Sequence, residues 1–318
     1  MSTSLPDAVL ISEVGPRDGL QSLKSILPTE VKKRWLAAEV ACGVREIEVG
    51  SFVPPKLLPQ LADTAEIVRY ARTLPGLTVA ALVPNRRGAE DALAAGAHKI
   101  TLPFSVSETH SRKNLRRDHA QVLDEIRSVR KLIDATQANV HFEASLSTAF
   151  GCTLEGAIPV DKVADSARAL IDAGADEVGL SDTTGYADPA GVRERIEAVW
   201  RAVGEERLTG VHLHNTRGLG LANALAAYEC GIRTFDSSLG GIGGCPFAPG
   251  ASGNIVTEDL VFMFEAMGVS TGIDLSALLK VRDIVSSALP DEPMYGFTPD
   301  AGVPLGFVPA TAAVREAS

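Results

Sequence analysis

The chain has 318 residues, of which 45% are hydrophobic, 22% charged and 5% aromatic, and its formal net charge is −10. High apolar content with ordinary charge excludes a disordered chain, and four scattered cysteines without a CxxC pair exclude a disulfide scaffold. Charged residues, Gly or Pro break every apolar run short of a membrane span, and the acidic balance argues against a nucleic-acid surface.

The first residues, MSTSLPDAVLISEVG, do not read as a signal peptide, so the expected compartment is a reducing cytoplasm. Residues 9–14 form the first predicted strand. Residues 29–42 form a helix, with Val31, Trp35, Ala38 and Cys42 on one face and Thr29 as the N-cap after Pro28. A strand at 46–49, a Pro-punctuated loop at 52–59 and a helix at 63–71 follow. The next elements are a strand at 78–83, a helix at 86–95 and a strand at 99–102. A polar loop, SVSETHSRKNLRRD, leads to a helix at 120–136. Strands at 140–145, 177–180, 210–214 and 234–237 then alternate with helices at 160–173, 190–202 and 219–229. A glycine-rich loop leads to a helix at 257–267.

That order gives eight β/α units and predicts a parallel sheet. Four helix ends share one pattern: ACGVREIEVG (41–50), AAGAHKITLP (94–103), DAGADEVGLS (172–181) and ECGIRTFDSS (229–238). The glycine suits the left-handed position that closes a helix. Eight units predict an α/β fold of the (β/α)8 TIM-barrel type over residues 1–270. Residues 271–318 are expected to add a helix at about 275–289 and an irregular Pro/Gly-rich tail, packed on the barrel or on a partner subunit.

Barrels of this type place their chemistry at the carboxyl ends of the strands. There the sequence sets Arg17 and Asp18, Glu46 and Glu48, Asp182, His212 and His214, Asp236, the glycines 240–244, Cys245 and Asn254. In a strand, His212 and His214 project to the same side and are placed to grip one ion. Asp18, on the strand that abuts the last one in a closed barrel, offers a carboxylate, and Asn254 an amide oxygen. Such a set suits Mg2+ or Mn2+. The alternative for the histidine pair is plain packing. Arg17 is suited to stabilising an oxyanion, or to pairing with Glu48 or Asp18 as a brace. Asp182 either orients a histidine, meets substrate or caps the next helix. Cys245, in the glycine-rich loop, is a proton-transfer candidate or an incidental turn residue. Cys42 and Cys230 read as core and Cys152 as undecided. The run SRKNLRR (111–117) is a solvated face or a phosphate receiver, and Lys24 shares the second role. His98, His110, His119 and His141 show no convergent partners in the sequence.

The motifs GPRDGLQ (15–21), IEVGSFV (47–53), LSDTTG (180–185), HLHNTRG (212–218) and SLGGIGGCPFAPGASGNIVTEDLV (238–261) resemble, in order and spacing, the 3-hydroxy-3-methylglutaryl-CoA lyases. These are metal-dependent acyl-CoA enzymes built on TIM barrels. The resemblance runs from about Leu10 to Met267. It implies that Asp18, His212, His214 and Asn254 hold a divalent metal, that Arg17 stabilises an enolate and that Cys245 moves a proton from a loop. It also places Glu48 among the functional residues, with His212 or Asp182 as the base. Gln21, Lys24, Ser51, Lys113, Asn114 and Arg217 are expected to face an acyl-CoA substrate. The implied reaction is retro-Claisen cleavage of a 3-hydroxy-3-methylglutaryl-type thioester to acetyl-CoA and acetoacetate, by a homo-oligomer. The chain departs from the family at three places. HLHNTRG replaces HCHDTYG, GLSDTTG replaces SLGDTIG, and SLSTAFGCT replaces YVSCALGCP, so that Gly179 and Ser145 stand for a serine and a tyrosine. A citramalyl-CoA substrate releasing pyruvate fits those departures. A Claisen-type synthase and a non-catalytic acyl-CoA-binding barrel are the other readings.

Overall fold

The computed structural model describes residues 7–243 and 253–312. Eight parallel strands close a barrel: β1 Leu10–Glu13, β2 Glu46–Ser51, β3 Thr78–Leu82, β4 Lys99–Ser105, β5 His141–Ser147, β8 Glu177–Ser181, β9 Gly210–His212 and β10 Thr234–Ser237. A small hairpin, β6 Gly151–Cys152 and β7 Gly156–Ala157, projects between β5 and β8. The first strand pairs with the last, Leu10 opposite Thr234 through Glu13 opposite Ser237, which completes the ring.

The outer helices are α1 Thr29–Cys42, α2 Thr64–Ala71, α3 Arg86–Ala95, α4 Glu108–Asn114, α5 His119–Thr136, α6 Val160–Ala173, α7 Pro189–Val203, α8 Gly220–Cys230 and α9 Thr257–Ala266, and all but α4 follow the predicted order. The glycines of the recurrent pattern do what the sequence requires of them. Gly43, Gly96 and Gly174 close α1, α3 and α6 with φ of 114°, 93° and 111°, a region costly for any residue with a Cβ. The strands bury Ile47, Val79, Ile100, Phe142, Leu180 and Phe235 against the helices, where Trp35, Ile126, Leu170 and Ile196 are also buried.

Several local features differ from the sequence reading. Thr29 is the first residue of α1 and not its cap: Pro28 stands at the N-cap, and Thr29 Oγ1 donates to Asp63 Oδ2 at 2.8 Å. The polar loop after β4 contains α4, because the Ser107 side chain accepts a hydrogen bond from the His110 amide and so caps a helix. The turn after β1, Gly15–Gly19, is a single turn of π-helix. The expected irregular tail includes a short helix, α11 Phe297–Ala301, after α10 Leu275–Ala288. α10 packs on α1. Among the described residues no helix is long and apolar enough to cross a membrane.

The interior differs from that of an ordinary barrel, which is filled with branched apolar layers. Gly179 and Gly210 are register partners on β8 and β9, and neither carries a side chain into the interior. A cavity of about 290 Å3 lies there, lined among others by Glu46, Lys99, Glu143, Glu177, His212 and Asp236. Lys99 Nζ stands 2.7 Å from Glu143, 3.2 Å from Glu177 and 3.6 Å from Glu46. His141 adds Nε2 at 3.0 Å from Glu177. The sequence reading gave His141 no partner; the barrel closes it onto one.

Candidate active site

The π-turn after β1 aims Arg17 and Asp18 into the carboxyl mouth of the barrel. Its backbone is fixed by Glu13, whose carboxylate accepts hydrogen bonds from Gly15 N at 2.7 Å, Leu239 N at 3.0 Å and Thr257 Oγ1 at 2.7 Å. One buried carboxylate therefore ties the turn after β1 to the segment after β10. Burial pushes the Glu13 carboxyl up to about 8, against the pull of those donors. Sequence reading missed Glu13; its signal was a charge inside an apolar strand.

Across the mouth, β9 delivers His212 at its end and His214 two residues on. The strand periodicity holds, and the Nε2 atoms face each other at 3.0 Å. Asp18 Oδ2 lies 3.9 Å from each. These three residues offer ligand atoms all within 4.8 Å of one another. His214 pairs across an isolated bridge with Asn254, which brings the fourth expected ligand to the same place. Asn254 Nδ2 donates to Asp18 Oδ2 at 2.8 Å and to Ile242 O at 3.3 Å, while its buried Oδ1 has no partner among the described residues. A half-turn of that amide presents the oxygen to the same point as the histidines. Two imidazole nitrogens, a carboxylate and an orphaned amide make a donor set that fits a divalent cation.

The charges around this point are strongly coupled. Burial alone would raise the Asp18 carboxyl, but Arg17, His212 and His214 outweigh it and hold it at about 2. Burial and the neighbouring His212 depress His214 to about 4. Burial also works against the charged form of His212. Asp236 Oδ2, 3.1 Å from its Nδ1, and the charge of Asp18 together outweigh that and raise it. The same contact leaves Nε2 turned toward Asp18 and His214.

Arg17 donates from Nε to Glu48 and from Nη1 to Asp18 at 2.6 Å. Both pairings weighed from the sequence therefore occur together. Glu48 is buried, and its other oxygen accepts from Thr101 Oγ1 at 2.6 Å. Gln21 donates to Asp18 at 2.7 Å. Ser51 is buried and its Oγ accepts from Val53 N at 3.3 Å, so it shapes the loop after β2.

Asp182, after β8, caps no helix; Asp188 does that for α7. Asp182 Oδ1 instead accepts from Tyr186 N at 2.7 Å, and its buried Oδ2 has no partner among the described residues. Burial raises its carboxyl to about 6, against backbone donors from Ala187 and Tyr186. Arg217 lies over the Tyr186 ring, 5.0 Å to the centroid, and donates to Gly185 O at 2.5 Å, bracing this same loop. Lys24, Lys113 and Asn114 are exposed, the last two on α4. Within the basic run Arg112 pairs with Glu108 at 2.6 Å and Arg117 with Glu125 at 3.2 Å, so much of its charge is neutralised locally. The other histidines also have partners: His110 Nδ1 is 2.8 Å from Ser105 Oγ, His119 Nε2 is 2.9 Å from Ser105 O, and His98 Nδ1 accepts from Val79 N at 3.0 Å. Cys42 and Cys152 are buried and Cys230 half-buried. Cys245 lies outside the described residues.

Fold and site together define a TIM-barrel enzyme with an aspartate–histidine centre at its carboxyl mouth. The HMGL-like family pattern matches residues 8–285, and the chain belongs to that family. It is 42% identical over 274 residues to the hydroxymethylglutaryl-CoA lyase of Bacillus subtilis, covering 86% of this chain and 91% of that protein. It is likewise 42% identical over 293 residues to the (R)-citramalyl-CoA lyase of Chloroflexus aurantiacus, covering 89% and 92% of the two. A solved HMG-CoA lyase from Acinetobacter baumannii, in complex with coenzyme A and 3-methylmalate, superposes with a TM-score of 0.89 at 38% identity, covering 97% of this chain and 99% of that one.

Proposed function

We propose that the protein is a divalent-metal-dependent carbon–carbon lyase that cleaves a 3-hydroxy-3-methylglutaryl-type CoA thioester to acetyl-CoA and a keto acid. The observation that carries this reading is the meeting of Asp18, His212 and His214 beside an arginine already charge-paired at the mouth. Asp18, His212, His214 and Asn254 would hold the ion, and a set of nitrogen and hard oxygen donors without thiolate favours Mg2+ or Mn2+. When bound, such an ion acidifies a substrate hydroxyl and polarises a carbonyl.

Asp182 is the base we favour over His212. Its Oδ2 is buried and unpaired among the described residues, its carboxyl is raised toward neutral pH, and no ligand role ties it up. It takes the proton of the 3-hydroxyl as the C2–C3 bond breaks. Arg17 keeps its charge under all conditions and is held by Glu48 and Asp18, so it meets the developing enolate oxygen without having to reorganise. Cys245 is assigned the return of a proton to the acetyl carbon, on the family resemblance alone. Lys24 and the exposed end of α4 are the candidates for the CoA phosphates.

A second substrate is favoured by one specific observation. Ser145 and Gly179 are register partners on β5 and β8, and Ser145 is turned to Ser181, with 2.9 Å between their hydroxyls. That wall offers small groups where the lyases resembled by sequence carry a tyrosine and a serine. The difference favours citramalyl-CoA as the alternative, with pyruvate as the released acid. The deciding experiment supplies Mg2+ or Mn2+ and a panel of 3-hydroxyacyl-CoA thioesters, then identifies the keto acid formed with acetyl-CoA. Acetoacetate supports the first substrate and pyruvate the second. Absence of cleavage with every thioester, in protein that binds the metal, refutes the lyase reading and leaves a binding barrel.

A further inference from the structure

The segment after α10 crosses the carboxyl face of the barrel as a strap. Ser25 Oγ, in the loop after β1, donates to Glu292 at 3.2 Å. At the far end, Phe297 N and Thr298 N donate to Asp259 at 3.0 and 2.6 Å. Between these points Tyr295 N donates to Gly240 O at 2.7 Å. Gly240 N in turn donates to Glu258 Oε2 at 2.9 Å. Arg282 on α10 closes the circuit, because its Nη1 lies 3.2 Å from Glu258 Oε1 and 2.8 Å from Tyr295 O. Both backbone polar groups of Gly240 are thus held by partners that one guanidinium holds together.

Gly240 is a constrained position. Its φ is +63°, and a Cβ there would lie 2.8 Å from Met294 Cε and 3.3 Å from Arg282 Nη1. The residues just beyond it shape the site. Ile242 O accepts the Asn254 amide, and the Ile242 side chain fills the space over Gly19 in the turn that carries Asp18. A Cβ on Gly243 would stand 2.9 Å from Asn254 Nδ2 and from Gly19 Cα.

We propose that Arg282, a residue outside the barrel, is a positioning residue for the metal centre: by clamping Glu258 to the strap at Tyr295 it fixes Gly240, and through residues 241–243 it fixes Asn254 against Asp18. Arg282 touches no reacting group. Its contribution is to hold the amide ligand in the place where the histidines and Asp18 converge. Partners hydrogen-bonded directly to a ligand change metal affinity by about 10- to 100-fold when removed, and a partner acting at one remove falls at the low end of that range. This inference rests on the metal centre of the proposed lyase.

The test is Mn2+ titration of the metal-free full-length chain, followed by the electron paramagnetic resonance signal of free Mn2+, alongside thermal unfolding. Arg282→Met is expected to weaken Mn2+ binding about tenfold, and Arg282→Lys to recover most of the loss, since it keeps the charge beside Glu258. Removing Arg282 alone strands a buried carboxylate, so Arg282→Met/Glu258→Gln supplies a variant without that stranded charge. It is expected to fold with near-wild-type stability and still bind Mn2+ weakly. Wild-type affinity in the double variant, or equal losses in the Lys and Met variants, overturns the proposal and leaves the lyase reading intact. A wild-type chain that binds no Mn2+ overturns both.

Discussion

His212 and His214 face each other through their Nε2 atoms at 3.0 Å. Two neutral imidazoles can share only one proton across such a contact. A cation accepts both lone pairs at once, with Asp18 Oδ2 3.9 Å from each ring. His214→Ala is therefore expected to abolish Mn2+ binding measured by equilibrium dialysis while leaving the far-ultraviolet circular dichroism spectrum unchanged. Chelation of the wild-type protein should remove activity, and added Mg2+ or Mn2+ should restore it. Full activity in thoroughly metal-stripped enzyme is the result that rejects the centre.

The barrel was legible in the sequence because each unit is local. A β-branched run, a glycine-closed helix and an apolar face repeat at readable periods, as in residues 29–50. The histidine pair was legible for the same reason, since strand geometry alone puts His212 and His214 on one side. What escaped was long-range or conditional. Lys99 meets Glu46, Glu143 and Glu177 only after four strands close into one ring. Glu13 gains its role from backbone donors at Gly15 and Leu239, one two residues away and the other 226. α4 hid inside a polar stretch because its composition reads as loop, and only the Ser107 cap tips the balance.

Arg17 and Glu48 form the next measurable pair. Arg17→Gln leaves the four ligand side chains in place but removes the cation positioned for the enolate. The expected result is a kcat lower by about 100- to 1,000-fold, the usual loss for an oxyanion donor. KM should change little and Mn2+ should still bind. A large rise in KM with kcat preserved would assign Arg17 to substrate binding instead.

Glu13 makes stability depend on pH in a direction opposite to that of a salt-bridged carboxylate. Its folded pKa, about 8, stands above the unfolded value near 4.5. Between those values the folded state binds more protons than the unfolded one, so stability falls as pH rises and levels off above about 8. The slope contributed by this single group reaches at most about 1.4 kcal/mol per pH unit. Glu13→Gln keeps an oxygen for Gly15 N and Leu239 N and removes the ionisation. Denaturant midpoints measured from about pH 5 to 8.5 should decline less steeply in the variant than in the wild type. Parallel curves would show that Glu13 is not the group responsible.

Lys99 tests the hollow interior. Its ammonium group is buried among Glu46, Glu143 and Glu177, and these carboxylates hold it charged against the cost of desolvation. Lys99→Met preserves much of the side-chain volume and strands three carboxylates beside a cavity bounded by Gly179 and Gly210. Breaking one side of a buried ion cluster costs about 3–5 kcal/mol, and that loss in unfolding free energy is expected here. Adding Glu143→Gln removes the carboxylate closest to Lys99, at 2.7 Å, and should return part of the stability. Additive destabilisation in the double variant would mean that the two side chains are not coupled. Because the cluster lies below the mouth, surviving Lys99→Met protein should keep its affinity for Mn2+, which separates support of the barrel from construction of the site.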